Sequence, residues 1–263
     1  MKMTLAEFIQ HGLVLHGLRY FLVAGGAFLF FYVFFKAKWF PYKIQLKNPK
    51  TADYIREIGY SLFTILLFVG AGVAIFFTPF YHITQIYLDF GAYGWGYWGV
   101  SIILMIFIHD TYFYWSHRLM HHPKLFRITH LVHHQSNNPS PWAAFSFQPI
   151  EGVLEVAVIF IIVLVIPTHP TAILAFLVFM MLYNVYGHTG YELFPKGTNK
   201  HWLGKWFNTS VNHNMHHKYS SHNYGLYFTF WDEWMGTTHP KYHETFEEVK
   251  SRKAHKPKSQ PTV

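Results

Sequence analysis

Apolar runs separated by short polar stretches set the pattern of this chain. Residues 20–35 and 58–80 carry no charge, and the second run is long enough to cross about 30 Å of hydrocarbon as a helix. Residues 98–116 form a third run, in which His109 and Asp110 stand out as ionisable groups. Residues 152–166 and 171–187 form a fourth and a fifth run near the lower limit of length. The short turn Pro167-Thr168-His169-Pro170 joins them, so they read as a helical hairpin. The pattern predicts an all-α fold, a multi-pass membrane helical bundle of about four to five spans.

Charge orients the bundle. Lys36, Lys38, Lys43, Lys47, Lys50 and Arg56 lie between the first two runs, whereas residues 81–97 contain no lysine or arginine. Basic loops stay on the cytoplasmic side, so residues 117–142, His188 and everything from Tyr191 onward are expected there as a cytoplasmic histidine-rich helical cap. No small-residue cleavage site follows the N-terminal apolar stretch, so a removable signal peptide is not expected. The expected division is N-terminal membrane spans over 1–96, a histidine-bearing domain over 97–240 and a basic tail over 241–263.

Composition narrows the chemistry. At 51% hydrophobic and 21% aromatic residues the chain is too apolar for an ordinary soluble domain. The net charge of +8 sits beside apolar spans rather than along a stripe of its own, which favours a membrane surface over nucleic acid. The absence of cysteine excludes disulfides, thiolate metal sites, iron–sulfur clusters and a nucleophilic thiol. Any metal is therefore held by nitrogen and oxygen.

Histidine supplies the nitrogen. Residues 117–134, HRLMHHPKLFRITHLVHH, hold six histidines. His117 and His121 share a helix face before Pro123 ends the helix. His130, His133 and His134 repeat the three-and-four spacing, and the adjacent pair diverges by about 100°, so neighbours address different ions. The same spacing returns as His213, His216 and His217, with His188 between the clusters. Leaving out His122, these are nine imidazoles, a surplus over one site that argues for two metals close together. Imidazole spacing alone does not name the metal. The HExxH pattern of a zinc hydrolase is absent, and a bis-imidazole haem needs no such runs.

The stretches HDTYFYWSHRLMHHPKLFRITHLVHH, NPSPWAAFSFQPIEG, GHTGYE, NHNMHH and NYGLYFTFWDEWMGT resemble the fatty acid hydroxylase superfamily of sterol desaturases, sterol methyl oxidases and sphingolipid hydroxylases. The resemblance runs from about His109 to Thr237. It implies a membrane enzyme that uses a di-iron centre and dioxygen to hydroxylate or desaturate a lipid chain or sterol-like substrate. Electrons then come from a separate donor, a b-type cytochrome or a ferredoxin with its reductase. The implied ligands are His117, His121, His130, His133, His134, His188, His213, His216 and His217, and the implied location is a bacterial inner membrane or the endoplasmic reticulum. Two departures are Gln148 and Asn212, where sterol-type relatives carry histidine.

Residues of second rank follow. His109 and Asp110, ionisable within a span, are candidates for a substrate or oxygen channel. Asn184, one turn before His188, is placed to orient it. Glu151, Glu192 and Asp232 are candidates to hold the outward N–H of ligand histidines, and His122 remains a candidate for the surroundings of the site. Trp115, Trp142, Trp202, Trp206 and Trp231 are expected at the membrane interface. The competing functional classes are a histidine-based membrane metal transporter and a catalytically inactive lipid-binding relative.

Overall fold

A computed structural model describes residues 3–252, so residues 253–263 of the expected basic tail lie outside the described residues. The order is α1 (Leu5–Phe34), followed by a single turn at Lys36–Trp39, then α2 (Thr51–Phe76), α3 (Gly94–Met120), the single turns α4 (Phe126–Thr129) and α5 (Leu131–His134), α6 (Pro149–Val165), α7 (Pro170–His188), α8 (Ser210–Tyr219), α9 (Phe230–Trp234) and α10 (Tyr242–Ser251). The fold is all-α, and among the described residues only isolated bridges represent β-structure. α1, α2 and α7 are long and apolar enough to cross a membrane. α3 has 27 residues but contains His109 and Asp110, and α6 has 17.

All five apolar runs become helix, and the starts follow from capping. α1 begins well before its apolar run because Thr4 and Glu7 satisfy each other's backbone N–H groups, at 2.7 and 3.2 Å. Pro149 and Pro170 open α6 and α7 at positions where the missing N–H has no intrahelical partner to lose. α1 widens into π-turns over Phe21–Gly25 and Leu29–Phe34. Trp142 lies against Gly25 there, where an added Cβ would stand 3.0 Å from the indole. Trp142 thus packs against Tyr20 and Phe28 of α1, whereas Trp202 is 72% exposed.

Two apolar clusters assemble the bundle. Tyr20, Ile65, Phe145, Met181 and Val185 tie α1 and α2 to α7 through the 141–147 segment. Met105 of α3 packs against Val158 and Ile162 of α6 and Ala172 and Phe176 of α7. Between α1, α2, α3, α6 and α7 lies a partly open cavity of about 180 Å³, lined by apolar side chains such as Phe68, Ile75, Val158, Phe176 and Leu177.

The basic loop after α1 lies at the histidine-bearing end of the bundle. Gln45 donates to the Asn137 carbonyl at 2.8 Å and to Asn214 at 3.0 Å, and Asn138 donates to the Lys47 carbonyl at 2.7 Å. Lys43 is buried between the rings of Tyr32 and Tyr191, 4.4 and 4.6 Å from their centroids. The loop without lysine or arginine sits at the other end, where the Gln85 N–H donates to the Val163 carbonyl at 2.7 Å.

The expected tail from 241 is corrected over its first part. α10 buries Tyr242, Phe246 and Val249 against Val211 and Met215 of α8 and against Ile44. Its apolar positions at i, i+4 and i+7 are hidden among charged residues in YHETFEEVKS. Ile44 in this cluster also shows that the N-terminal segment and α10 pack directly on the histidine cap. Phe246→Ala is expected to cost about 3–5 kcal/mol through the cavity it leaves. A lowered thermal unfolding midpoint in detergent checks this, and an unchanged midpoint would mean that α10 contributes no packing.

Candidate metal centre

The nine sequence-predicted imidazoles converge at one end of the bundle in two groups. His117, His121, His130, His134 and His216 form one, and His133, His188, His213 and His217 the other, with one ring nitrogen of each group member within 4.8 Å of the rest. The local structure explains the sorting. His117 and His121 lie one turn apart where α3 ends. His130 and His134 point into the first group while His133, on the other side of the turn, enters the second. On α8, His213 and His217 share a face and His216 looks to the first group. The adjacent pairs 133/134 and 216/217 therefore divide between the groups, as the 100° divergence requires.

Hydrogen bonds on the outside set the tautomers. The Nδ1 atoms of His117, His133, His188 and His216 meet the backbone carbonyls of Tyr224 (2.9 Å), Ser146 (3.3 Å), Asn184 (2.7 Å) and His222 (2.7 Å). A carbonyl only accepts, so each Nδ1 carries the proton and each Nε2 keeps a lone pair. The Glu151 carboxyl lies 2.8 Å from the His130 Nδ1 without hydrogen-bond geometry. On the inside the Nε2 atoms face one another at short range. His117 and His130 approach to 3.0 Å, His188 and His133 to 3.3 Å, and His134 and His216 to 2.9 Å. In the His188–His133 pair both protons sit on the outer nitrogens, so the lone pairs repel unless a cation lies between them. With metal–nitrogen bonds of about 2.1 Å, nitrogens at right angles are about 3.0 Å apart, which these separations match. The buried Nε2 of His121 has no hydrogen-bond partner among the described residues and is left for the same role.

Burial also keeps the rings neutral. It pushes the imidazoles of His130, His133, His134, His213, His216 and His217 well below the usual histidine range, and the neighbouring imidazoles lower them further. His121 is lowered to about 2 by burial first and His216 second.

The other expected residues are placed less directly. Asp232 accepts the N–H groups of Tyr224 and Gly225, each at 2.9 Å, and Asp110 accepts those of Tyr227 (2.7 Å) and Phe228 (3.1 Å). Both carboxylates brace the segment whose Tyr224 carbonyl holds His117, and neither touches a histidine of the two groups. Glu192 accepts from Val211 N–H at 2.9 Å in the first turn of α8 and likewise contacts none of them. Asn184 holds His188 through its backbone carbonyl, while its side chain donates to the Ala144 carbonyl at 2.8 Å. His122 is exposed and its Nδ1 accepts from Lys124 N–H at 3.3 Å, so it stands apart from both groups. His109 is buried and lines the cavity.

Gln148 braces the turn before His133, accepting from Val132 N–H at 3.4 Å. Asn212 is fully buried, and neither of its side-chain polar atoms has a partner among the described residues. Sequence reasoning missed Glu57, which receives hydrogen bonds from Ser136 (2.8 Å) and Ser140 and so anchors the histidine-bearing segment to α2. Its signal was an acid one residue before the second apolar run. Glu155, also missed, lines the cavity.

The sequence model of the fatty acid hydroxylase family matches residues 102–237, just over half of the chain. The chain belongs to the fatty acid hydroxylase family. It is 30% identical over 152 residues to a Delta(7)-sterol 5(6)-desaturase of Gibberella zeae, covering 58% of this chain and 46% of that protein. A lathosterol oxidase of Mus musculus is 29% identical over 222 residues, 82% of this chain and 73% of the relative. Methylsterol monooxygenase 1 of Rattus norvegicus is 28% identical over 243 residues, 90% and 79% of the two chains. The chain spans about half the length of the two fungal sterol desaturases it matches. No solved structure matches it. All nine histidines fall within the stretch matched by the family, and with its apolar helices the chain is a membrane protein.

The lowered histidine values give a pH dependence with a definite sign. Unfolded histidine titrates near 6.5, and the folded rings take up protons only at lower pH. As pH falls below about 6.5 the unfolded chain binds more protons than the folded one, so this contribution to stability is full above about pH 7.5 and is lost on acidification. Thermal unfolding of metal-stripped protein between pH 8 and pH 5 checks this. A midpoint that stays flat or rises on acidification would show that the rings are not buried neutral.

Proposed function

We propose that this family member is an oxygen-dependent di-iron oxidoreductase that hydroxylates or desaturates a sterol-like or other lipid substrate at the cytoplasmic face of a membrane. The observation that carries the reading is the gathering of nine imidazoles into two groups, with the inward Nε2 lone pairs of His133 and His188 facing each other, beside an apolar cavity. The donor set fits iron, since neutral imidazole suits that metal and no thiolate is available. His117, His121, His130, His134 and His216 would hold one ion, and His133, His188, His213 and His217 the other. Iron bound there supplies activation of dioxygen for attack on an unactivated C–H bond.

The chain's own residues perform the rest. The carbonyls of Tyr224, Ser146, Asn184 and His222 fix ring orientation, so the ligands need no rearrangement when the centre changes charge. The cavity takes the apolar body of the substrate and excludes water. A small space lined by Tyr183, Asn184, Gly187 and His213 shares Asn184 and Leu226 with that cavity. The second histidine group is thus the one that the substrate's reacting carbon approaches. The exposed Arg118, Lys124 and Arg127 give the cap a cationic face suited to a separate acidic electron donor such as a b-type cytochrome or a ferredoxin. The gathering of all nine imidazoles at one end favours a reaction centre over a transport path, in which binding stations would follow the spans. The sterol names of the relatives favour a sterol, while Gln148 and Asn212 leave the bond oxidised to experiment.

Comparative lipidomics of cells carrying the wild-type protein or His133→Ala tests the reading. The wild type is expected to produce a lipid that has gained one oxygen or lost two hydrogens, and the variant to abolish it. Identical lipid profiles in both, with both proteins present in the membrane, would overturn it.

A further inference from the structure

Residues 224–231, YGLYFTFW, follow the last histidine triplet, carry no charge and pack far below it. The Tyr224 carbonyl meets His117 near the end of α3, at 2.9 Å. Tyr227 then sets its ring against Phe179 with centroids 5.1 Å apart, and Phe228 stacks on Phe107 at 5.3 Å. Phe179 is the middle residue of α7 (Pro170–His188), and Phe107 is the middle residue of α3 (Gly94–Met120). At 1.5 Å per residue these two rings lie about 13–15 Å along the bundle from His188 and His117. The chain returns by Trp231, whose indole N–H donates to Thr111 at 3.2 Å and whose ring meets Trp115 at 5.6 Å. The segment therefore runs from the histidine groups to half the length of two long helices and back, and one of them, α7, is long and apolar enough to cross a membrane.

Residues 223–229 are not helical, yet their backbone polar groups go to protein. Asp232 accepts the N–H groups of Tyr224 and Gly225, Asp110 accepts those of Tyr227 and Phe228, and the Thr229 N–H donates to the Trp206 carbonyl at 3.0 Å. Asn208 donates its side-chain amide to the Leu226 carbonyl at 3.1 Å and its backbone N–H to the Tyr227 carbonyl at 2.9 Å. Irregular backbone persists at hydrocarbon depth only where protein answers its donors and acceptors, whereas a loop in water needs no such arrangement. Asp110 stands inside α3 for this reason: its carboxylate answers two N–H groups of the neighbouring segment. The two sides of the segment also differ. Leu226 lines the apolar cavity and Tyr227 is fully buried. Phe228 and Phe230 are only half-buried, and both stack on Phe107, in the apolar stripe that α3 exposes at Val100, Ile103 and Phe107.

We propose that residues 224–231 form a re-entrant segment that enters the bilayer from the histidine-bearing end, packs between α3 and α7 and meets lipid acyl chains with Phe228 and Phe230. Its inner side walls the cavity through Leu226, and its outer side serves as lipid-facing surface in place of a helix. Hydrocarbon is the occupant of that outer face because the face is uncharged, level with the middle of α7 and continuous with the exposed stripe of α3. The charge pattern assigned everything after Tyr191 to the cytoplasmic cap; this stretch belongs to the membrane instead. The placement holds whether or not the chain oxidises a lipid.

The chain contains no cysteine, so single cysteines report on the segment directly. In phosphatidylcholine nanodiscs Phe230→Cys is compared with Val178→Cys, beside the middle of α7, and with Lys124→Cys on the exposed cap. Phe230→Cys is expected to react with a membrane-impermeant maleimide about tenfold more slowly than Lys124→Cys, because hydrocarbon excludes the reagent and suppresses the thiolate. A bimane attached to it in detergent is expected, after reconstitution, to be quenched by lipid carrying a mid-chain nitroxide to within about twofold of the quenching at Val178→Cys, since both lie near the middle of a ~30 Å core. Labelling as fast as at Lys124→Cys overturns the proposal. Slow labelling without quenching by lipid also overturns it, because protein, such as a second copy of the chain, then covers the face. Wild-type protein in nanodiscs containing phospholipid with a mid-chain diazirine decides the matter independently of how any variant folds. Crosslinks are expected on the peptide spanning 226–234, and their absence while peptides of α1 and α7 are labelled overturns the proposal.

Discussion

Lone pairs that face each other set the constraint on which this structure depends. Backbone carbonyls hold the protons of His133 and His188 on the outer nitrogens, so the inner nitrogens meet at 3.3 Å with nothing between them to share. Such a cluster is unfavourable as bare protein and favourable around a cation. The rest of the molecule serves to hold rings in a place they would otherwise leave. Glu57 ties the segment after α5 to α2, Asp110 and Asp232 pin residues 224–228, and Glu192 caps α8. Four buried carboxylates thus act on backbone and hydroxyl groups one step removed from the histidines.

The fold places the histidine groups next to the apolar cavity. α6 and α7 run back to back in sequence with α3 packed against both, and the remaining space between them and α1 and α2 is the cavity. The same helices that enclose the cavity deliver the ligands, His117 at the end of α3 and His188 at the end of α7. The cavity and the histidine groups are therefore neighbours in one bundle, linked through Asn184 and Leu226.

Much of this was legible in the chain. The apolar runs announced the five long helices, and three-and-four spacing announced the two imidazole groups, because both follow from helical periodicity alone. Glu151, one of three carboxylates expected beside these histidines, does approach one of them, 2.8 Å from the His130 Nδ1. Glu192 and Asp232 were assigned the same role and instead bind backbone N–H groups, since sequence distance does not reveal which way a carboxylate turns. α10 escaped because three apolar residues among seven polar ones resemble a solvated tail until a partner surface exists. The uncommitted Nε2 of His109 was beyond reach for a similar reason: only packing shows which polar atoms are left unpaired.

Metal analysis of the purified chain tests the central claim most directly. Elemental quantification combined with iron X-ray absorption should find two irons per chain in a nitrogen- and oxygen-rich environment, one for each imidazole group. A folded protein that retains no iron after reconstitution, or binds a single ion, would contradict the account.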